Sequence, residues 1–164
     1  TVRYAQLFKC EQVLRSDCNR GVSGIDGSTS TAAGAACVGE GMTVLITGDM
    51  SFSYDVNGLS STYLSPRFKI IVMCNGGGGI FRFIKPTSDL PELETCFEIH
   101  RDISVEKYAD LFGLRYFELN DEKSAAEVLS LFFAEKDRPA ILAVHTPNVY
   151  NAEVLRGYFR RSRQ

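Results

Sequence analysis

The 164-residue chain has no C-x-x-C pair, no excess of charge of either sign and no apolar run long enough to cross a bilayer. Each absence removes a class of function. Five scattered cysteines, Cys10, Cys18, Cys37, Cys74 and Cys96, form neither a disulfide framework nor a zinc-ligand spacing, and they fit a reducing compartment. The formal net charge of -2 supplies no global field for nucleic acid or an anionic membrane. The basic cluster Arg156, Arg160, Arg161 and Arg163 reads as a solvated helix face and tail. No nucleic-acid or membrane partner is therefore expected, and with no secretory signal the expected location is cytoplasmic. The two histidines, His100 and His145, stand in no catalytic or metal-binding motif and read as structural; His145 merits attention because it ends an expected strand. Internal repeats and low-complexity linkers are also lacking.

What is present describes an ordinary globular domain. The hydrophobic fraction is 45% and the charged fraction 23%, and the length suits one domain with a substantial core. The first residues, "TVRYAQLF", are amphipathic and lack an initiator methionine, which leads us to expect a piece of a longer polypeptide. A helix is expected over 1–10, with Val2, Ala5 and Phe8 on one side, and an extended piece over 13–18. "STSTAAGAACVG" reads as a helix of small residues with Ser/Thr caps, and "MTVLITGD" as a strand ending at Gly48-Asp49. "SYDVNGLSSTYL" reads as a helix with Val56, Leu59 and Tyr63 inward, and "FKIIVMC" as a uniformly apolar central strand. The stretch 76–103, with little periodicity and with Pro86 and Pro91, reads as an ordered active-site loop or lid. After it come a helix capped by Ser104 and closed by Gly113, the strand "LRYFEL" and a helix opening at Asn120 or Asp121. The strand "PAILAVHT" and a final helix "NAEVLRGYFRR" complete the chain. Strands alternate with helices, so the class is α/β: a three-layer, doubly wound, mostly parallel sheet.

The unusual segment is "KIIVMCNGGGGIF", where an apolar strand spills into four consecutive glycines, Gly76 to Gly79. In parallel α/β sheets ligands bind beyond the carboxyl ends of the strands. "TGDMSFSYD" leaves one such end and "CNGGGGIF" another. Gly48 permits the turn, Asp49 offers a carboxylate, and the amides of Met50 and Ser51 open a helix whose start favours phosphate. Asn75 adds an amide oxygen, and the glycine run adds peptide oxygens. Together they form a hard-oxygen set suited to Mg²⁺. Taken singly, Asp49 also reads as a helix cap and Asn75 as a turn residue. A dinucleotide fingerprint disagrees with "IFRFIKP", which meets proline too soon for a long helix, and a P-loop is excluded because no Gly-Lys-Ser/Thr follows. The pairing of Gly-Asp at one strand end with Asn-Gly at the other carries the reading.

Those strings resemble a known family. "GDMSFSYDVNGL" followed by "IIVMCNGGGGIF" is similar to the diphosphate-binding motif of thiamine-diphosphate-dependent enzymes. More narrowly, "NRGVSGIDGSTSTAAGAA" and "GGGGIF" resemble the MenD family, the 2-succinyl-5-enolpyruvyl-6-hydroxy-3-cyclohexene-1-carboxylate (SEPHCHC) synthases of menaquinone biosynthesis. The resemblance covers essentially the whole chain, as the C-terminal domain of a roughly three-domain enzyme. It implies thiamine diphosphate with Mg²⁺ (or Mn²⁺) as cofactors, 2-oxoglutarate and isochorismate as substrates, and a homo-oligomer at full length. It implies that Asp49, Asn75 and the Gly77 carbonyl hold the metal, and that Gly48, Met50 and Ser51 meet the diphosphate. Ser23 and Ile25 would support the aminopyrimidine, with Ile25 as the wedge that bends the cofactor. Arg20 and Arg3 would grip substrate carboxylates, for which an arginine fork is well shaped, and Ile80 and Phe81 would wall the reaction centre. Without that motif Arg20 reads as a surface salt bridge. The usual paired asparagines are here Cys74 and Asn75, with Cys74 expected only to pack, and Met50 replaces the generic glycine. The resemblance further implies that a glutamate from a separate pyrimidine-binding domain is required, so that this segment alone would be inactive. Competing readings are another thiamine-dependent 2-oxoacid decarboxylase, an acetolactate-synthase-like enzyme, and a non-enzymatic nucleotide-binding module.

Overall fold

The computed structural model describes residues 15–19, 21–22, 24–98, 101 and 103–161. The helix expected over 1–10, and with it Arg3, Arg20, Ser23 and His100, lie outside the described residues; so do the first two residues of the extended piece expected over 13–18. Four strands form one sheet: β1 (Thr43–Gly48), β2 (Phe68–Cys74), β3 (Arg115–Leu119) and β4 (Ala140–His145). All pairings are parallel and the order across the sheet is β1-β2-β4-β3. Helices α1 (Ser28–Val38), α2 (Asp49–Tyr54), α3 (Ile80–Phe83), α4 (Val105–Phe112), α5 (Ala125–Ala134) and α6 (Asn148–Arg161) connect or follow them.

The alternation of side chains along β2 divides the core in two. Phe68, Ile70 and Val72 point to one face, where Ala33 and Ala36 of α1, Phe52 of α2, and Val105 and Ala109 of α4 pack on them. Ile71 belongs to the other face, with Leu142 of β4 and Phe132 of α5. The connection from β3 back to β4 runs opposite in sense to those from β1 and β2. Right-handed crossovers therefore place α5 on the face away from α1, α2 and α4. The sheet is doubly wound, as the alternation of elements predicts.

Several local expectations need correction. β2 is not uniformly apolar: Lys69 is only 1% exposed. Its Nζ donates to the Glu135 carbonyl at 2.7 Å and lies 5.9 Å from the centre of the Phe132 ring. A cation at the carboxyl end of α5 meets an unpaired carbonyl and the negative end of the helix dipole, which explains a lysine in the core. Burial holds its pKa below the ordinary lysine range. The helix expected over "SYDVNGLSSTYL" is instead α2, starting at Asp49, followed by a 3-10 turn at Val56–Ser60. Val56 and Leu59 are buried but Tyr63 is 81% exposed, because the chain has left the helix before reaching it. α5 begins at Ala125 rather than at Asn120 or Asp121. The Asp121 carboxylate accepts from the amides of Lys123 and Ser124 at 2.8 and 3.1 Å, so a local turn displaces the helix start. α4 is capped as expected: Ser104 Oγ accepts from the Lys107 amide at 3.3 Å, and Gly113 closes the helix at φ 69°.

No serine or threonine side chain caps α1. Its start is held from outside by Asp55, which accepts the Ser30 amide at 2.7 Å and the Ser30 hydroxyl at 2.6 Å. This contact spans 25 residues and ties the turn after α2 to the first turn of α1. The segment 76–98 is ordered, through α3, a 3-10 turn at Thr87–Asp89 and a π-helical turn at Leu93–Phe97. α3 has only four residues, in keeping with the exclusion of a dinucleotide fingerprint.

Candidate functional site

β1 and β2 are adjacent and parallel, with Gly48 opposite Met73, so the loops that leave them emerge side by side. Asp49 joins these two exits. Its side chain is nearly buried, at 4% exposure, and backbone amides from both junctions converge on it. Oδ1 accepts from Met50 at 2.8 Å. Oδ2 accepts from Asn75 at 3.0 Å, Gly76 at 2.8 Å and Gly77 at 3.2 Å. The Gly77 amide also lies 3.3 Å from Asn75 Oδ1, so the Asp49 and Asn75 oxygens share one donor and face the same spot. The reading of Asp49 as an ordinary helix cap does not account for bonds to a loop 26 residues away.

The glycine run has the shape this junction requires. Gly76 and Gly77 adopt φ of 83° and 124°, the left-handed region that side-chain-bearing residues avoid, and this turns successive amides toward the carboxylate. At the next residue a Cβ on Gly78 would stand 2.6 Å from the Phe97 carbonyl oxygen, so the returning loop leaves room only for hydrogen.

The other expected residues that are described lie near this junction. Gly48 is extended at the strand exit, and Ser51 Oγ donates to the Ile25 carbonyl at 2.7 Å, bringing Ile25 beside the start of α2. Ile25 and Ile80 are exposed at 43% and 51%, apolar side chains left largely open at a polar strand end. Phe81 packs its ring 5.4 Å from that of Phe97. The structure thus brings Ile25, Gly48, Asp49, Met50, Ser51, Asn75, Gly77, Ile80 and Phe81 to one edge of the sheet.

Donor chemistry at the junction suits a hard cation: one carboxylate, one amide oxygen and the peptide oxygens of the glycine run. Among the described residues no cluster of three or more His, Cys, Asp or Glu could hold a metal. Cys74 is half-buried; burial, with the nearby Asp49 charge, pushes its thiol up to about 12. Its sulfur lies 3.6 Å from the Val72 carbonyl, consistent with a packing role. At pH 8, alkylation by iodoacetamide is expected to modify Cys18, Cys37 and Cys96, all exposed, well before Cys74. Peptide mapping over time checks this, and equal rates would contradict it.

His145 ends β4 opposite Cys74, and its Nε2 lies 3.0 Å from Glu118 Oε1. Tyr116 donates to the same carboxylate oxygen at 3.1 Å, and burial together with that bond raises its phenol pKa. This half-exposed group reads as structural. Three features escaped the sequence reading: Asp55, the Ser51 hydroxyl, and the ion pair of Arg82 with Glu98. Each is made by residues far apart in the chain with no local signature.

Residues 1–144 match the family model described as "Thiamine pyrophosphate enzyme, C-terminal TPP binding domain". A 2-succinyl-5-enolpyruvyl-6-hydroxy-3-cyclohexene-1-carboxylate synthase of Porphyromonas gingivalis is 48% identical over 159 residues, which is 96% of this chain and 28% of that protein. The protein of the same name from Flavobacterium johnsoniae is 45% identical over 160 residues, 97% of this chain and 29% of the relative. The chain therefore spans under a third of the length of these relatives. Among solved structures, a Rhodococcus jostii thiamine diphosphate-dependent 4-hydroxybenzoylformate decarboxylase superposes with a TM-score of 0.58. It is 21% identical and covers 71% of this chain and 22% of its own, a likeness of fold. The chain belongs to the family of C-terminal TPP-binding domains of thiamine pyrophosphate enzymes, and over nearly its whole length it is similar to the corresponding part of the 2-succinyl-5-enolpyruvyl-6-hydroxy-3-cyclohexene-1-carboxylate synthases.

Proposed function

We propose that residues 1–164 are the single diphosphate- and metal-binding domain of an SEPHCHC synthase, a transferase that decarboxylates 2-oxoglutarate and joins the remaining four-carbon unit to isochorismate. The observation that most supports this is the Asp49 carboxylate gathering the amides of Asn75, Gly76 and Gly77. The Asp49 and Asn75 side-chain oxygens also share the Gly77 amide as donor, which supports their acting together. In this reading those two oxygens and the Gly77 carbonyl hold Mg²⁺, and the backbone at Gly48, Met50 and Ser51 faces the diphosphate at the start of α2.

Bound thiamine diphosphate supplies the electron sink that makes loss of carbon dioxide from a 2-oxo acid feasible. The protein's part is placement. Ile25, its carbonyl fixed by the Ser51 hydroxyl, would present a branched apolar surface to the bound cofactor, and Ser23 would support the aminopyrimidine. Ile80 and Phe81 exclude water from the reaction centre, which strengthens electrostatic interactions there. Arg20 and Arg3 receive the carboxylates of the two acidic substrates. The activating glutamate comes from another domain of the longer polypeptide, within a homo-oligomer.

Calorimetric titration of thiamine diphosphate with and without Mg²⁺, on the longer enzyme and on this chain, tests the reading. Binding is expected to require the metal, and turnover of 2-oxoglutarate with isochorismate is expected only from the longer enzyme. Metal-independent affinity for nucleotides instead would overturn the assignment.

A further inference from the structure

Arg82 directly follows Ile80 and Phe81, and its surroundings are unlike those of a surface arginine. Its side chain is 17% exposed, and the Glu98 side chain it faces is fully buried. Arg82 Nε donates to Glu98 Oε1 at 2.8 Å while a terminal nitrogen donates to Oε2, a two-pronged fork. That same nitrogen reaches Glu94 Oε1 at 2.9 Å. A carboxylate removed from water is tolerable only when a cation holds it in good geometry, so this pair restricts the loop to arrangements that preserve the fork. The backbone of Arg82 is fixed as well, since its carbonyl accepts from the Arg156 guanidinium of α6 at 2.6 Å. Together with the Phe81–Phe97 ring contact, these bonds close the segment from Gly78 to Glu98 on itself.

We propose that Arg82 is a positioning residue: its fork to Glu98 sets the angle at which α3 presents Ile80 and Phe81 to the reaction centre. It thereby governs substrate handling rather than cofactor binding. This rests on the function proposed above for Ile80 and Phe81. Among the described residues the side-chain bonds of Arg82 reach Glu98 and Glu94 and not Asp49 or Asn75. Only its backbone amide, which donates to the Gly79 carbonyl at 3.2 Å, touches the glycine run, so the fork itself is separate from the diphosphate anchor.

The test uses the longer enzyme carrying Arg82→Lys, Glu98→Gln, or the pair Arg82→Met with Glu98→Leu. Arg82→Lys keeps the charge but loses the fork. The double variant replaces the buried pair by apolar side chains of similar size, so its thermal stability is expected to stay near that of the parent. Affinity for thiamine diphosphate is expected to be unchanged in Arg82→Lys and in the double variant, while kcat falls by about tenfold or more in both. Hydrogen exchange over 78–98 is expected to speed up in Arg82→Lys. Recovery of kcat together with stability in the double variant would reduce Arg82 to a structural role, and loss of cofactor affinity would refute its independence from the anchor. If the unmodified enzyme shows no turnover, the proposed function fails; unchanged exchange over 78–98 in Arg82→Lys would then overturn the positioning role on its own.

Discussion

Replacing Asp49 by alanine is expected to abolish Mg²⁺-dependent binding of thiamine diphosphate and also to destabilise the domain before any ligand is added. The side chain accepts four amides, from Met50, Asn75, Gly76 and Gly77. Removing the carboxylate strands the buried Gly77 donor most severely, since its remaining acceptor is Asn75 Oδ1 at 3.3 Å. A buried donor left unpaired costs about 1–3 kcal/mol. Water can reach the half-buried amides of Asn75 and Gly76, so the total is set at about 2–3 kcal/mol. For a domain of this size that lowers Tm by about 5–10 °C. Asp49→Asn preserves the volume but turns an NH₂ toward amides or toward the metal position, and it removes the charge. It is expected to fall between the two in stability and to match alanine in metal-dependent binding. Thermal unfolding followed by calorimetric titration separates the effects; an alanine variant with parental affinity would remove Asp49 from the metal site.

Gly58→Ala is expected to be the most damaging substitution outside that junction. A Cβ there would stand 2.7 Å from the Ser30 Cα and 2.8 Å from the Ser30 amide nitrogen, both backbone atoms at the start of α1. A flexible side chain could swing aside, but a helix backbone moves only by shifting the helix. Overpacking of this kind costs about 1–3 kcal/mol, or about 3–10 °C in Tm. The shift would also pull Ser30 away from Asp55, which accepts both its amide and its hydroxyl. Asp55→Ala removes that external cap without adding volume and is expected to cost about 1 kcal/mol. The two variants together test whether the Val56–Ser60 turn acts on α1 through steric contact, through the cap, or both. A Gly58→Ala domain that melts with the parent would show that the helix start yields easily.

The sequence announced what depends on neighbours in the chain. The run "IIV" marks β2 because a central parallel strand covered on both faces needs apolar side chains throughout. "VLIT" marks β1 by its branched residues, although Val44 and Ile46 stand exposed on this edge strand. Ser104 and Gly113 mark helix ends because their capping bonds are local. Asp49 and Asn75 were legible as a pair because each adjoins a glycine at a strand exit, and a family motif preserves their spacing. Lys69 was missed because its explanation lies 66 residues away, at the carbonyl of Glu135. The Asp55 cap on α1 spans 25 residues and the Arg82–Glu98 fork 16, neither with a periodicity that would reveal it. The sequence points to Asn120 or Asp121 as the opener of α5, but an Asx turn of equally local character holds the Asp121 carboxylate.

The strand order has a consequence for how the polypeptide acquires its shape. Of the four described strands β4 is the last to be synthesised, yet it lies between β2 and β3, pairing Lys69 with Ala140 on one side and Arg115 with Ala140 on the other. Until residue 145 has emerged, β3 has no partner among the described strands, of which only β1 and β2 can yet pair. The cooperative step must therefore wait for late-synthesised sequence, exposing unpaired apolar edges meanwhile, which makes chaperone protection during translation most valuable in that interval.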